Sequence, residues 1–198
     1  QMLAEEIEQL KAKVDAELLP EDAKREAQEP SRKRIDTQID LTVDAYLPGE
    51  YIYDSAQKID IYKKVAAIRS LDDEQELADE LVDRFGPRPT PVKNLLAVAR
   101  LKVYGAEYGI VSFSAKGDDI VITVDREQNS RIDGAKLFER MSKFERKIKF
   151  EPGTDIVLRM NRKGLSMEQT LDYLEQLMKE YKEAVIGEDE TKRSAGVR

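Results

Sequence analysis

The sequence contains no cysteine, no histidine and no tryptophan. The first two absences remove a great deal of chemistry. A structural zinc site needs thiolate or imidazole ligands. Disulfides, cysteine nucleophiles and histidine general bases are excluded with them. A chain without cysteine fits a reducing compartment, and a cytoplasmic location is the expectation. Apolar runs are short, and none approaches the roughly 20 residues of a membrane-spanning helix. The opening stretch, Gln1–Ala16, is charged throughout and lacks the apolar region of a signal peptide. Gln1 is not a natural initiator, so the chain reads as part of a longer polypeptide. There is no glycine-rich phosphate loop ending in Lys-Ser or Lys-Thr, and no G-x-G-x-x-G. Nucleotide hydrolysis within these residues is therefore not expected, nor is a cofactor or a metal.

What the sequence has in abundance is charge. Of its 198 residues, 40% are hydrophobic and 37% are charged, with a net charge of −7. Globular domains carry about 25% charged residues, so an adequate core is wrapped in a dense ionic surface. An acidic chain is a poor general binder of phosphate backbones, which require Lys and Arg to displace counterions. A basic protein surface is its natural complement. The expectation is a binding module and not an enzyme.

Four segments can be told apart. Residues 1–19 place Leu3, Ile7, Leu10 and Val14 at helical spacing, which predicts an N-terminal helix. Residues 20–36 hold Pro20, Pro30 and the basic run Arg32-Lys33-Arg34 with few apolar groups, and read as a linker. Residues 37–187 carry the regular patterns of a folded domain. Residues 188–198 are small and polar and read as a disordered tail.

Within the domain, Ile39, Leu41, Val43 and Ala45 alternate with polar residues, which predicts a half-buried strand ending at Pro48-Gly49. Asp54, with Gln57 three residues on, predicts a capping box opening a helix whose inner face is Ile61, Val65 and Ile68. A second helix is expected from Asp72–Asp73 to Gly86, burying Leu77, Leu81 and Phe85. A third opens at Thr90-Pro91, with Thr as cap, presents Leu95, Val98 and Leu101, and stops at Gly109. Strands at 110–114 and 120–125 flank the tight turn Lys116-Gly117-Asp118-Asp119. A fourth helix over 134–146 precedes strands at 149–151 and 156–160, joined by a turn at Pro152-Gly153. Ser166 with Gln169 caps a last helix striped by Leu171, Leu174, Met178 and Tyr181. Hairpin-linked strands with helices in blocks indicate an α+β fold: a small, mainly antiparallel sheet with several packed helices.

Candidate chemistry is thin. Ser55-Ala56-Gln57-Lys58 has the S-x-x-K spacing of some acyl-transfer enzymes, but no Ser-Asp-Asn or Lys-Thr-Gly companion follows. The sharper signal is charge clustering. Between Asp72 and Arg84 lie seven carboxylates against one arginine. Glu76, Glu80 and Asp83 fall at i, i+4 and i+7 and share a face. Acids in the first turn suit the helix dipole, but Asp83 stands in the last turn, where the dipole opposes it. That excess leaves two readings open, a protein-docking surface and an ordinary solvated face. The opposite pattern, Lys136, Arg140, Lys143 and Lys147, lines the fourth helix and could follow a nucleic-acid backbone. Glu139 and Glu145 dilute it, and no aromatics accompany it, so a solvated face competes here too.

Several ordered motifs carry a resemblance. Asp40-Leu-Thr-Val-Asp-Ala-Tyr-Leu-Pro48, Tyr51-Ile52 and Lys58-Ile-Asp-Ile-Tyr-Lys-Lys64 are followed by Glu80-Leu-Val-Asp83-Arg-Phe-Gly86, Pro89 and Asn94-Leu-Leu96. Together they resemble the C-terminal domain of bacterial transcription-repair coupling factor. The resemblance covers about Ile39 to Val185, and residues 1–19 are similar to the segment after that family's motor domains. It implies a parent that is an ATP-driven DNA translocase acting on stalled RNA polymerase, with its ATPase and polymerase-binding parts elsewhere. It further implies an autoinhibitory clamp. The domain would pack on an N-terminal domain of the same chain and cover the surface that recruits the damage-recognition ATPase of nucleotide-excision repair. DNA would be met through other domains. The family's acidic docking residues correspond to Glu80 and Asp83, and Glu76 extends the stripe.

Overall fold

The computed structural model describes residues 35–144, 147–151 and 156–185, all within one structural unit. The expected N-terminal helix, most of the linker, the Pro152-Gly153 turn, the end of the fourth helix and the tail lie outside the described residues. The architecture is α+β, as expected.

Among the described residues, four of the five helices begin where a side chain satisfies a free N–H group. In α1 (Ser55–Ala67), the Asp54 carboxylate accepts from the Gln57 N–H at 2.7 Å, one half of the expected box. Helix α2 (Leu71–Phe85) starts earlier than its acids suggest. Ser70 is the cap, its hydroxyl accepting from Asp73 N–H while the Asp73 carboxylate accepts from Ser70 N–H at 2.9 Å. Its C-terminal neighbour Gly86 takes φ of 82°, a conformation that side chains resist. Helix α3 (Thr90–Tyr108) is capped at Pro89 and not by Thr90, whose side chain makes no capping bond. Helices α4 (Gly134–Ser142) and α5 (Met167–Ala184) complete the set, the latter opened by the expected reciprocal Ser166–Gln169 box. A short 3-10 helix at Arg126–Arg131, unforeseen in the sequence, precedes α4.

The strands are β1 (Gln38–Asp40), β2 (Ile110–Lys116), β3 (Asp119–Val124), β4 (Ile148–Glu151) and β5 (Val157–Asn161). They form one sheet in the order β1-β2-β3-β5-β4. All pairs are antiparallel except β1 with β2. The expected long first strand is thus corrected to three residues. Beyond Asp40 the chain leaves the sheet edge, although Leu41, Val43 and Ala45 remain half-buried and keep the alternation. Asn94 anchors this departing segment by donating to the Asp44 carbonyl at 2.9 Å.

Two apolar cores share helix α3. One packs α1, α2 and the first half of α3 around Ile61, Leu77, Leu81, Val92 and Leu96, closed by Leu47 and Ile52. The other packs α4, α5 and the end of α3 onto one face of the sheet, around Phe113, Ile122, Leu158, Leu174 and Tyr181. Helix α3 therefore buries more than one stripe. The expected Leu95 and Val98 are only half-buried, while Val92, Leu96, Ala99 and Val103 are buried. Where α3 meets β1, Gly105 permits a close approach. A Cβ there would stand 2.1 Å from the Thr37 hydroxyl oxygen, and that hydroxyl donates to the Ile110 carbonyl at 2.9 Å.

Candidate functional site

Helix α2 has two faces of different character. Leu77, Ala78 and Leu81 are buried, and Glu74 joins them at only 3% exposure. Glu74 thus leaves the acidic stripe. It receives a two-pronged contact from the Arg100 guanidinium, at 3.1 and 3.0 Å, and Arg100 also holds Glu175 of α5. One arginine on α3 thereby ties α2 to α5. Burial raises the Glu175 carboxyl, but Lys179 and Arg100 outweigh it and hold that group below the usual carboxylate range. Tyr51 steadies the other end of α2. Its hydroxyl stands 3.0 Å from both the Leu81 and Gly86 carbonyls, and its ring packs on Phe85.

The outer face carries Asp72, Glu76, Asp79, Glu80 and Asp83 along one side. Glu76 and Asp83 are exposed and have no hydrogen-bond or ion-pair partner among the described residues. Glu80 differs. It is half-buried, and both of its oxygens accept from the Lys64 ammonium of α1, at 2.7 and 2.9 Å. Arg84 reaches it from the next turn. The Lys64 ammonium first, then Arg84, holds the Glu80 carboxyl below its ordinary range. Asp79 accepts from Gln75 at 2.9 Å. Beside Asp83, Val82 is 44% exposed and adds apolar surface to the same end of the helix.

The basic face of α4 is partly neutralised. Glu180 of α5 accepts from Lys143 at 3.0 Å and from Arg140 at 3.2 Å, and Glu183 stands 4.0 Å from Arg140. Lys143 first, with Arg140, holds the Glu180 carboxyl below its usual range. Lys136 has no acidic partner among the described residues, and Lys147 stands beyond the end of the helix. Ser55 is exposed at the first position of α1. Among the described residues no group of acidic side chains is arranged to hold a metal, and no helix is long and apolar enough to cross a membrane.

Comparison with known proteins places this arrangement. Residues 41–135 match the TRCF domain model. The chain is 34% identical over 152 residues, 76% of its length, to a transcription-repair-coupling factor of Bacillus subtilis, of which that stretch is 13%. It is 36% identical over 126 residues to the factor of Staphylococcus aureus strain USA300, covering 64% of this chain and 11% of that one. A crystal structure of the C-terminal domain of a transcription-repair coupling factor superposes with a TM-score of 0.67 at 27% identity. That superposition covers 78% of this chain and 99% of the solved one. Residues 41–135 are a TRCF domain.

The chain spans about an eighth of the length of the relatives it matches, since the matched stretches are 13% and 11% of them. The motif residues of this TRCF domain now divide by role. Tyr51, Ile52, Gly86, Asn94 and Leu96 are architectural: they close the first core or fasten a helix end. Glu80 is held from two sides. Among the charged side chains of the Glu80–Gly86 motif, Asp83 has no hydrogen-bond or ion-pair partner among the described residues. Lys64 was missed as a site residue, because its pairing with Glu80 joins two helices that the sequence does not visibly bring together.

Proposed function

We propose that this TRCF domain is a non-catalytic regulatory module of a transcription-repair coupling factor. In this reading the outer face of α2 holds a basic surface on an N-terminal domain of the same protein. Docking masks the surface that recruits the damage-recognition ATPase of nucleotide-excision repair. The observation that carries the reading is the pair Glu76 and Asp83: exposed, without partners, on one face, with Asp83 set against the helix dipole. A tether gives such a contact an effective concentration in about the mM range. A polar, charge-matched interface then stays closed while remaining open to competition.

The structure changes which variant tests this best. Glu80→Lys would set a third cation beside Lys64 and Arg84 and disturb the α1–α2 packing. Glu76→Lys with Asp83→Lys reverses the free charges only, and a lysine near the C-terminus of α2 suits the dipole by about 0.3–1 kcal/mol. The double variant keeps its helical circular dichroism and urea midpoint. In the full-length parent it binds the damage-recognition ATPase more tightly than wild type does. Unchanged binding refutes the reading. The alternative, an accessory DNA-binding face at Lys136, Arg140, Lys143 and Lys147, loses two of its four cations to Glu180.

A further inference from the structure

Helices α1 and α2 have 13 and 15 residues. Helices of that length are marginal in water and depend on packing. The surface they pack on is α3, which has two apolar stripes. Val92, Leu96, Ala99 and Val103, at i, i+4, i+7 and i+11, belong to the core under α1 and α2. Leu101, Tyr104 and Tyr108, with half-buried Ala97, belong to the core on the sheet. At 3.6 residues per turn the two stripes lie on different sides of the helix, and Arg100 falls in the seam between them. From that seam its guanidinium meets Glu74 of α2 at 3.1 and 3.0 Å and also engages Glu175 of α5. Among the described residues, Glu74–Arg100 is the only ion pair that joins α1 or α2 to the rest of the fold. Leu71, at the start of α2, is half-buried and packs against both cores.

We propose that α1 and α2 form a lobe that opens as one unit while α3, α4, α5 and the sheet stay folded, and that Arg100 is the latch that holds it shut. The dependence is one-sided. When the lobe opens, α3 keeps its second stripe on the sheet. When the sheet side unfolds, α1 and α2 lose the helix they lie on. The lobe therefore opens at a lower free energy than the whole domain does. In chain order it is an insertion between β1 and α3, and it stays tethered when open. Its leading end is fastened where Asn94 of α3 donates to the Asp44 carbonyl at 2.9 Å, and its trailing end runs into α3 itself. The latch spans the seam, so a change on α5 reaches the lobe through it.

Native-state hydrogen exchange of the chain in low urea reads the two units separately. The amides of Ile61, Leu77 and Leu81 should exchange through an opening with a weaker urea dependence than that of Ile122 and Leu158, because less surface is exposed. Arg100→Met breaks a buried pair and should speed the α1 and α2 amides about 100-fold while the sheet amides are unchanged. Ile61→Val leaves the latch intact and should speed the same helix amides about 2- to 12-fold, again sparing the sheet. Glu175→Gln lies outside the lobe and should still speed the α1 and α2 amides, by about 1.5- to 5-fold. One common urea dependence for all five amides, in wild type and in Ile61→Val, overturns the lobe. If Ile61→Val spares the sheet but Arg100→Met and Glu175→Gln leave the α1 and α2 amides unchanged, the latch is overturned and the lobe stands.

Discussion

Removing Arg100 should expose how α2 is held in place. Its guanidinium is the only cation paired with Glu74 among the described residues, and Glu74 is 3% exposed. Arg100→Met leaves that carboxylate buried and unpaired. Breaking one partner out of a buried pair costs about 3–5 kcal/mol. The Arg100 side chain is itself 26% exposed, so water can reach the vacated position, and the lower end applies: about 3 kcal/mol. Glu175 retains Lys179 at 2.9 Å and is not orphaned by the change. The cost is read as a loss of folding stability at neutral pH. Urea denaturation followed by circular dichroism measures it directly. Glu74→Leu added to Arg100→Met should recover stability to within about 1 kcal/mol of wild type, since an apolar pair removes the stranded charge. A single variant costing less than about 1 kcal/mol, or a double variant no better than the single, would show that the triad does not hold α2.

Two further outcomes follow from contacts elsewhere. Gly105→Ala drives a Cβ to 2.1 Å from the Thr37 hydroxyl oxygen, so Thr37, just before β1, must shift and lose its bond to the Ile110 carbonyl. The expected loss is about 1–3 kcal/mol, and Thr37→Gly in the same chain should recover part of it, as read by thermal denaturation. The carboxyls of Asp73, Glu80, Glu175 and Glu180 are all held below their ordinary values. Their contribution is present above the unfolded carboxylate range and is lost as pH falls through the folded values. The urea midpoint should therefore drop in acid, and Glu80→Gln should flatten that drop.

The parts legible in the sequence are those governed by neighbours in the chain. Ser166 with Gln169 and the stripe Leu171, Leu174, Met178, Tyr181 fix α5 locally, and the helix appears as read. The parts that were not legible depend on distant partners. Alternation at Ile39–Ala45 records burial correctly, but whether a segment joins a sheet depends on a neighbouring strand, and β2 reaches only Gln38–Asp40. The 3-10 helix at Arg126–Arg131 has no apolar periodicity to announce it. Helix α3 shows mixed spacing because it serves two cores at once. Glu74 carried a usable signal. It sits three, four and seven residues before Leu77, Ala78 and Leu81, an inward position, and an acid there calls for a buried cation. The sequence does not identify that cation as Arg100, nor Lys64 as the partner of Glu80.

On the proposed docking, the division of α2 would explain how a charged interface is regulated. A helix whose acids all served packing could not release them to a partner without loosening the fold. A helix whose acids were all free would repel itself along its length. Here Glu74 is committed inward through Arg100, and Tyr51 fastens the C-terminal end, so the helix is positioned from behind. Glu76 and Asp83 are left exposed and without a partner among the described residues. Glu80 stands between these classes, since its cations, Lys64 and Arg84, are both more than one-third exposed. Exposed pairs of that kind are worth about 0.2–1 kcal/mol, small enough for a docking cation to replace. A buried partner would have fixed Glu80 permanently. No partner would have left the undocked domain with three adjacent free acids on one face. In the proposed docking, an exchangeable partner would keep the undocked state stable and the docked state reversible.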